Sequence, residues 1–303
     1  MTRRSYSGTI RRLDAFVPME LTLPTLASPR TATLAPARIA LTYLWRHHRL
    51  LDLDDPQTFT ALVQHRKLHD RDARLPPLAD KVLAKEIVAD RIGREWVIPT
   101  LWHGVELPRC PDWPTPFVVK SRHGCNQNAF VRRWDAAEWR SIRTRARRWM
   151  YSDYGGWLDE WLYAHIQRGL LVEPLVGPLT GAPIDYKLYV FGGRVEYIQV
   201  HLGRGQRHRW IVFDRNWRRR SSPTSDLDPA PPSSLAAMMS AAGELARGID
   251  FVRVDMYEID RKPLFGEMTF YPGSGLDRFD PIGLDAEMGR FWLKAKSEGG
   301  VLR

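Results

Sequence analysis

Apolar positions recur at helical intervals through much of the first half of this chain and alternate with polar ones through much of the second. Residues 38–48 and 56–68 have helical spacing. Residues 80–92 (DKVLAKEIVADRI) form an amphipathic stretch that stops at Gly93, a residue type suited to ending a helix. Residues 96–101 and 117–120 are short apolar runs with β-branched side chains, which predicts strands. Residues 134–150 set Trp139, Ile142, Ala146 and Trp149 on one helical face with arginines around the rest, and residues 157–168 predict a further helix.

From residue 170 the period shortens to two. Residues 170–176, 184–191, 195–202 and 209–214 read as strands, and Gly192 and Gly193 supply a tight hairpin turn. A polar, proline-rich loop over residues 216–231 leads to a helix over 232–249, for which Ser233 or Ser234 is the expected cap. Residues 251–258 and 264–271 alternate around Asp260, Arg261 and Lys262 and predict an antiparallel hairpin, and residues 285–296 close the chain helically. Segregated helices and antiparallel strands give an α+β fold class. Residues 1–38 mix basic residues with Pro, Ser and Thr without a sustained period, and are expected to be an extension, loosely ordered or docked on the body.

A hydrophobic fraction of 44% and a charged fraction of 26% are those of a soluble globular protein, and no apolar run is long enough to span a bilayer. The basic N-terminus lacks the apolar stretch of a secretory signal, so a cytoplasmic protein is expected. Cys110 and Cys125 are the only cysteines, too few for a disulfide framework. The net charge of +10 favours an anionic partner without choosing among nucleotide, acidic polymer and anionic lipid. For the arginine-rich segment 134–150, packing of the tryptophans inward competes with an anion- or membrane-facing role.

The candidate chemistry is concentrated in the last hairpin. Its register puts Asp255 and Glu267 on adjacent strands, and magnesium takes hard oxygen donors, with only one or two protein carboxylates and phosphate or water for the rest. Lys120 ends an apolar strand and is followed by the polar turn of residues 121–126; such an ammonium beside exposed backbone N–H groups suits a phosphate. Glu173 is one acid in an apolar strand, so it must accept hydrogen bonds or face a cleft. Asp185 and Lys187 alternate and share a face. Asp80 and Lys81 open a helix, with Lys85 four residues on. The chain has no G-x-S-x-G elbow, H-E-x-x-H, CxxC or P-loop sequence. His47 and His48 are adjacent and diverge on a helix, His123 and Cys125 have no marked orienting acid, and the D-L-D of residues 52–54 lies between helices.

Taken in order, these segments resemble the ATP-grasp superfamily, and within it the TupA-like branch of teichuronopeptide-biosynthesis type. The resemblance rests on Asp80-Lys81, VVK ending at Lys120 with the turn after it, LLVEPLVG (170–177), DYKLYVFGGR (185–194), FVRVDMYEI (251–259) and FGEMTFYPGSG (265–275), within residues 39–292. It implies an ATP-grasp fold with nucleotide held between two α+β subdomains with antiparallel sheets. The expected organisation is an extension over 1–38, a helical and strand region over 39–116, and a nucleotide- and metal-binding domain over 117–298.

By that resemblance Lys81 and Lys120 bind the phosphates of ATP, and the loop containing Ser121, Gly124 and Asn126 closes over them. Glu173 and the backbone near Leu175 meet the adenine; Asp185 or Lys187 meets the ribose and phosphates. Asp255 and Glu267 hold Mg²⁺, with Thr269 offering an oxygen where many members have Asn, and Arg253 steadies charge on the transferring phosphoryl group. The implied activity is a carboxylate–amine ligation through an acyl phosphate in cell-surface polysaccharide biosynthesis, joining an amino acid and an acidic sugar or polymer. Peripheral association with the membrane or the polysaccharide machinery is part of that expectation, and nucleic acid is not. The competing readings are a kinase-like phosphotransferase on the same fold, a glycosyltransferase, and a basic anion- or membrane-surface binding protein.

Overall fold

The computed structural model describes residues 34–152, 154–177, 182–203, 208–225 and 227–299. Residues 1–33 of the expected extension lie outside them. Two antiparallel sheets organise the chain. The smaller contains β1 (Trp102–Gly104), β2 (Phe117–Ser121), β3 (Asn128–Val131) and β4 (Leu170–Pro174) in the order β1-β4-β2-β3. The larger contains β5 (Asp185–Phe191), β6 (Arg194–Leu202), β7 (Arg209–Asp214), β8 (Phe251–Ile259) and β9 (Lys262–Thr269) in the order β7-β6-β5-β8-β9.

The helices are α1 (Ala35–His47), α2 (Phe59–His69), α3 (Leu75–Ala79), α4 (Leu83–Ile92), α5 (Ala136–Tyr151), α6 (Trp161–Ala164), α7 (Leu235–Leu245) and α8 (Gly283–Gly299). Each sheet has its own core. Trp139, Ile142 and Ala146 of α5 pack on Phe117, Val119, Leu170 and Val172 of the small sheet, so the tryptophan-bearing helix packs inward. Side chains from α2, α3, α4, α7 and α8 share one core with the large sheet, including Phe59, Leu75, Val88, Met238 and Trp292. Across that sheet the residues Ile198, Leu188, Val254 and Met268 form an apolar row. Their neighbours along each strand, Gln199, Lys187, Asp255 and Glu267, form a polar row on the other face, as a period of two requires.

The last hairpin turns through Asp260 and Arg261, whose φ values of 51° and 63° are both left-handed. That is the two-residue turn whose twist matches paired strands, so Lys262 belongs to β9 and not to the connection.

Several expected elements differ. The helix expected over 157–168 is confined to Trp161–Ala164, because Asp159 at φ 58° breaks the chain direction before it. The strand expected over 96–101 is a 3₁₀ turn (Arg94–Trp96) and a lone bridge from Val97 to Phe265, with β1 starting only at Trp102. The short helix α3 begins with a proline in its first turn, where no N–H is needed, and was not foreseen. Neither was β3, a four-residue edge strand. Ser233 and Ser234 do not cap α7 with their side chains. Both hydroxyls instead donate to Glu258 of β8, at 3.0 and 2.6 Å.

Candidate functional site

The polar face of the large sheet supplies one wall. Lys187 pairs across β5 and β8 with Asp255, which pairs across β8 and β9 with Glu267. A bulge follows Asp255, and Gly266 sits against it: a Cβ there would lie 3.0 Å from the Asp255 carbonyl oxygen and 3.2 Å from the Tyr257 ring. Arg253, two residues before Asp255 on the same face, donates from Nε to Asp255 Oδ1 at 2.7 Å and from Nη2 to Oδ2 at 2.8 Å. It also reaches Thr269 Oγ1 at 3.2 Å and comes within 3.9 Å of Glu267. Lys187 bridges Asp185, at 2.9 Å, and Asp255. Burial would push the Asp255 carboxyl up, but Arg253 and Lys187 together hold it below its usual range.

The small sheet supplies the other wall. Glu173 of β4 lies opposite Val118 and so diagonal to Lys120 of β2, within reach of a long side chain. Its carboxylate pairs with Lys120 at 2.5 Å and with Lys85 of α4. Burial opposes ionisation of Glu173, yet the two ammonium groups outweigh it and bring its pKa down to about 2. For Lys85 burial dominates and lowers the pKa, with Glu173 acting against it. Lys85 is fixed further by the Ile98 carbonyl at 2.8 Å and the Thr100 hydroxyl at 3.0 Å.

The loop after β2 is held by the Asp80-Lys81 pair. Asp80 caps the turn into α4 by accepting from the Val82 N–H at 2.9 Å, and also receives Arg122 Nε at 2.6 and 2.8 Å. Lys81 donates to the Gly124 carbonyl at 2.6 Å. Among the described residues Lys81 makes no ion pair. Asn126 adopts φ 58°, a left-handed conformation that Asn tolerates, and the chain then returns into β3.

These pieces enclose a cavity of about 140 Å³ between the sheets. Of the residues expected from the sequence, Lys81, Lys120, Gly124, Asn126, Glu173, Asp185, Lys187, Asp255 and Glu267 line it together. Ser121, Leu175, Arg253 and Thr269 do not. Ser121 is fully buried under the loop, and its hydroxyl makes no hydrogen bond among the described residues. Leu175 follows β4, with its N–H on the Pro116 carbonyl at 3.0 Å. Arg253 and Thr269 stand behind Asp255. The lining residues that sequence reasoning missed are Lys85, Cys125, Gln127, Asn128, Tyr257 and Gly266. Lys85 had a signal, since it falls one helical turn after Lys81, but that spacing equally describes a solvated face. Among the described residues no three His, Cys, Asp or Glu side chains converge on a point that could hold a metal ion by themselves.

A family model described as TupA-like ATPgrasp matches residues 61–293. Similar solved structures include a D-alanine–D-alanine ligase from Bacillus anthracis complexed with ATP, at 13% identity and TM-score 0.47, over 74% of this chain and 66% of that one. Another is an L-amino acid ligase from Bacillus licheniformis, at 14% identity and TM-score 0.44, over 72% of this chain and 50% of that one. The chain therefore spans less than two thirds of the length of either. Comparison with the curated proteins finds no match.

Proposed function

Because this chain belongs to the TupA-like ATP-grasp family, we propose that it is an ATP-dependent carboxylate–amine ligase. The observation that carries this is the cavity in which Lys81, Lys120 and Lys187 face Asp255 and Glu267. Cations for a polyphosphate and carboxylates for its metal are brought to one place from both sheets.

In the reaction, an oxygen of the substrate carboxylate attacks the γ-phosphorus of ATP, the bond to the bridging oxygen breaks and ADP leaves. The amine nitrogen then attacks the acyl carbon of the acyl phosphate; the carbon–oxygen bond breaks, phosphate departs and the nitrogen's proton passes to water. No side-chain nucleophile is needed, and catalysis consists of positioning and charge neutralisation. Lys81, with no carboxylate partner among the described residues, is the ammonium readiest to meet a phosphate. Lys120 reaches one by exchanging its contact with Glu173, which keeps Lys85 as a partner. Asp185 and Lys187 form the wall for ribose and phosphates, and Glu173 with the Leu175 backbone the end for adenine. Ser121, Gly124 and Asn126 shape the loop over the phosphates. Arg253 holds both oxygens of Asp255 and so positions that carboxylate, while its charge favours phosphoryl transfer nearby.

The donor set fits magnesium. Asp255 and Glu267 are paired across β8 and β9, and two carboxylates suit an ion that shares its shell with phosphate and water. Asp255 and Glu267 would hold it, with the Thr269 hydroxyl behind them, and it would neutralise charge on the transferred group. Lys187 and Arg253 would have to share Asp255 with it.

The net charge of +10 supports an acidic acceptor. We therefore assign the ligation to an amino acid and an acidic sugar or polymer unit in cell-surface polysaccharide biosynthesis, on the cytoplasmic side, where ATP is available, with peripheral association at the membrane. The test is to incubate the chain with Mg-ATP, amino acids and uronic acids, reading ADP release and the mass of the product. An amide-linked product is expected. A stable phosphorylated product would make the protein a phosphotransferase, and consumption of a UDP-sugar without ADP release a glycosyltransferase.

A further inference from the structure

Lys85 lines the cavity, and no step of the ligation touches it. It belongs to α4, whose Ala84 and Val88 pack in the core of the large sheet, so its backbone is fixed. Its side chain is buried, and three oxygens surround the ammonium group: the Ile98 carbonyl at 2.8 Å, the Thr100 hydroxyl at 3.0 Å and the Glu173 carboxylate. Three oxygens match the three N–H donors of an ammonium, which leaves Lys85 none to offer a nucleotide.

Two of those oxygens come from a segment that is itself tied at both ends. Val97 bridges to Phe265 of β9, and the Leu101 N–H donates to the Val172 carbonyl of β4 at 2.8 Å, so residues 97–101 run from the large sheet to the small one. Lys85 is thus anchored to a strap between the two walls of the cavity. Lys120 is held more loosely. Its side chain is 26% exposed against 11% for Lys85, and among the described residues Glu173 is its one ionic partner.

The two lysines meet different oxygens of one carboxylate, Lys85 at Oε1 and Lys120 at Oε2 of Glu173. Glu173 is buried in its strand. A buried carboxylate left without a counter-charge is costly, so Lys120 can turn to a phosphate only if another cation goes on neutralising Glu173. With Lys85 in place, the departure of Lys120 leaves a buried ion pair. Without Lys85 it would leave a lone buried charge, and Lys120 stays where it is.

We propose that Lys85 is a positioning residue for nucleotide binding, which keeps Glu173 neutralised and so releases Lys120 to the phosphates of ATP without touching the nucleotide itself. This rests on the placement of ATP in the cavity. It also has a particular signature: Lys85 is required only while residue 173 bears a charge.

The test is calorimetric titration of Mg-ATP into the unaltered chain, Lys85→Met, Glu173→Gln and the double variant Lys85→Met/Glu173→Gln, with the fold of each checked by circular dichroism. Lys85→Met should bind about tenfold to a hundredfold more weakly, the worth of the Lys120 contact that it forfeits. Glu173→Gln removes the charge that holds Lys120 and keeps an oxygen acceptor, so its affinity should stay within about threefold of the unaltered chain or exceed it. The double variant should match Glu173→Gln within about threefold, the second substitution restoring what the first removed. A lysine that met phosphate itself, or that only supported the fold, would leave the double variant as weak as Lys85→Met. That result overturns the proposal, and so does undiminished affinity in Lys85→Met. If Lys85→Met does not fold, Glu173→Gln against the double variant still decides, since neither contains the buried carboxylate. No binding by the unaltered chain removes the ATP reading and this proposal with it, whereas binding by the unaltered chain without rescue in the double variant removes the proposal alone.

Discussion

Lys81 and Lys120 sit in the same cavity in different electrostatic states, and this difference makes predictions residue by residue. Lys120 is compensated by Glu173, whereas among the described residues Lys81 meets only a backbone carbonyl. Lys81→Ala should therefore weaken ATP binding by about tenfold to a hundredfold, the worth of a charge-assisted hydrogen bond. Calorimetric titration with Mg-ATP checks this, and unaltered affinity removes Lys81 from the site. Glu267→Gln keeps size and hydrogen bonding but removes a metal charge, so metal-dependent ADP formation should fall to background while the circular dichroism spectrum is retained; full turnover refutes the assignment. Glu173 makes a pH prediction. Its folded pKa of about 2 lies below its usual 4.5, so as pH falls the unfolded chain takes up the proton first. The resulting stabilisation, on the order of 3 kcal/mol, is complete above about pH 4.5 and disappears as pH falls towards 2. Glu173→Gln should flatten that part of the melting-temperature profile, and an unchanged slope would contradict the pairing. The carboxylates Asp255 and Glu267 were legible in the sequence because hairpin register follows from alternation. The Lys85–Glu173–Lys120 triad was not, since three elements distant in sequence must first be packed together.

At the level of elements, the segments with a strong period were legible and those held by tertiary contacts were not. Helix α5 has both an inward face of Trp139, Ile142 and Ala146 and a cap, Asp135, whose side chain accepts from the Glu138 N–H at 2.7 Å. Asp135→Ala should cost about 1 kcal/mol, seen as a lowered midpoint in urea with an unchanged slope; no loss would mean the cap contributes nothing beyond solvent. In contrast, β3 is four residues long and exists by pairing with β2, which no local pattern announces. Residues 96–101 have strand-like composition, yet Lys85 takes the Ile98 carbonyl and the Thr100 hydroxyl, so the segment serves to fix a lysine. Ser233 and Ser234 had the composition of a cap and were captured by Glu258, a partner that only the fold supplies.

For the molecule as a whole, two antiparallel sheets with separate cores leave a charged cavity between them, and the central claim is that this cavity holds Mg-ATP. A ligand that binds the folded state alone must raise its stability, by about 2.7 kcal/mol at a hundred times its dissociation constant. For a chain of this size that is a rise of several degrees in melting temperature. The decisive measurement is the melting temperature of the unaltered chain with ATP and Mg²⁺, with ATP and EDTA, and with a UDP-sugar and Mg²⁺. The account predicts a rise of about 5 °C with ATP and Mg²⁺ that EDTA largely abolishes, and none with the UDP-sugar. No rise with ATP and Mg²⁺, or a rise confined to the UDP-sugar, would contradict it.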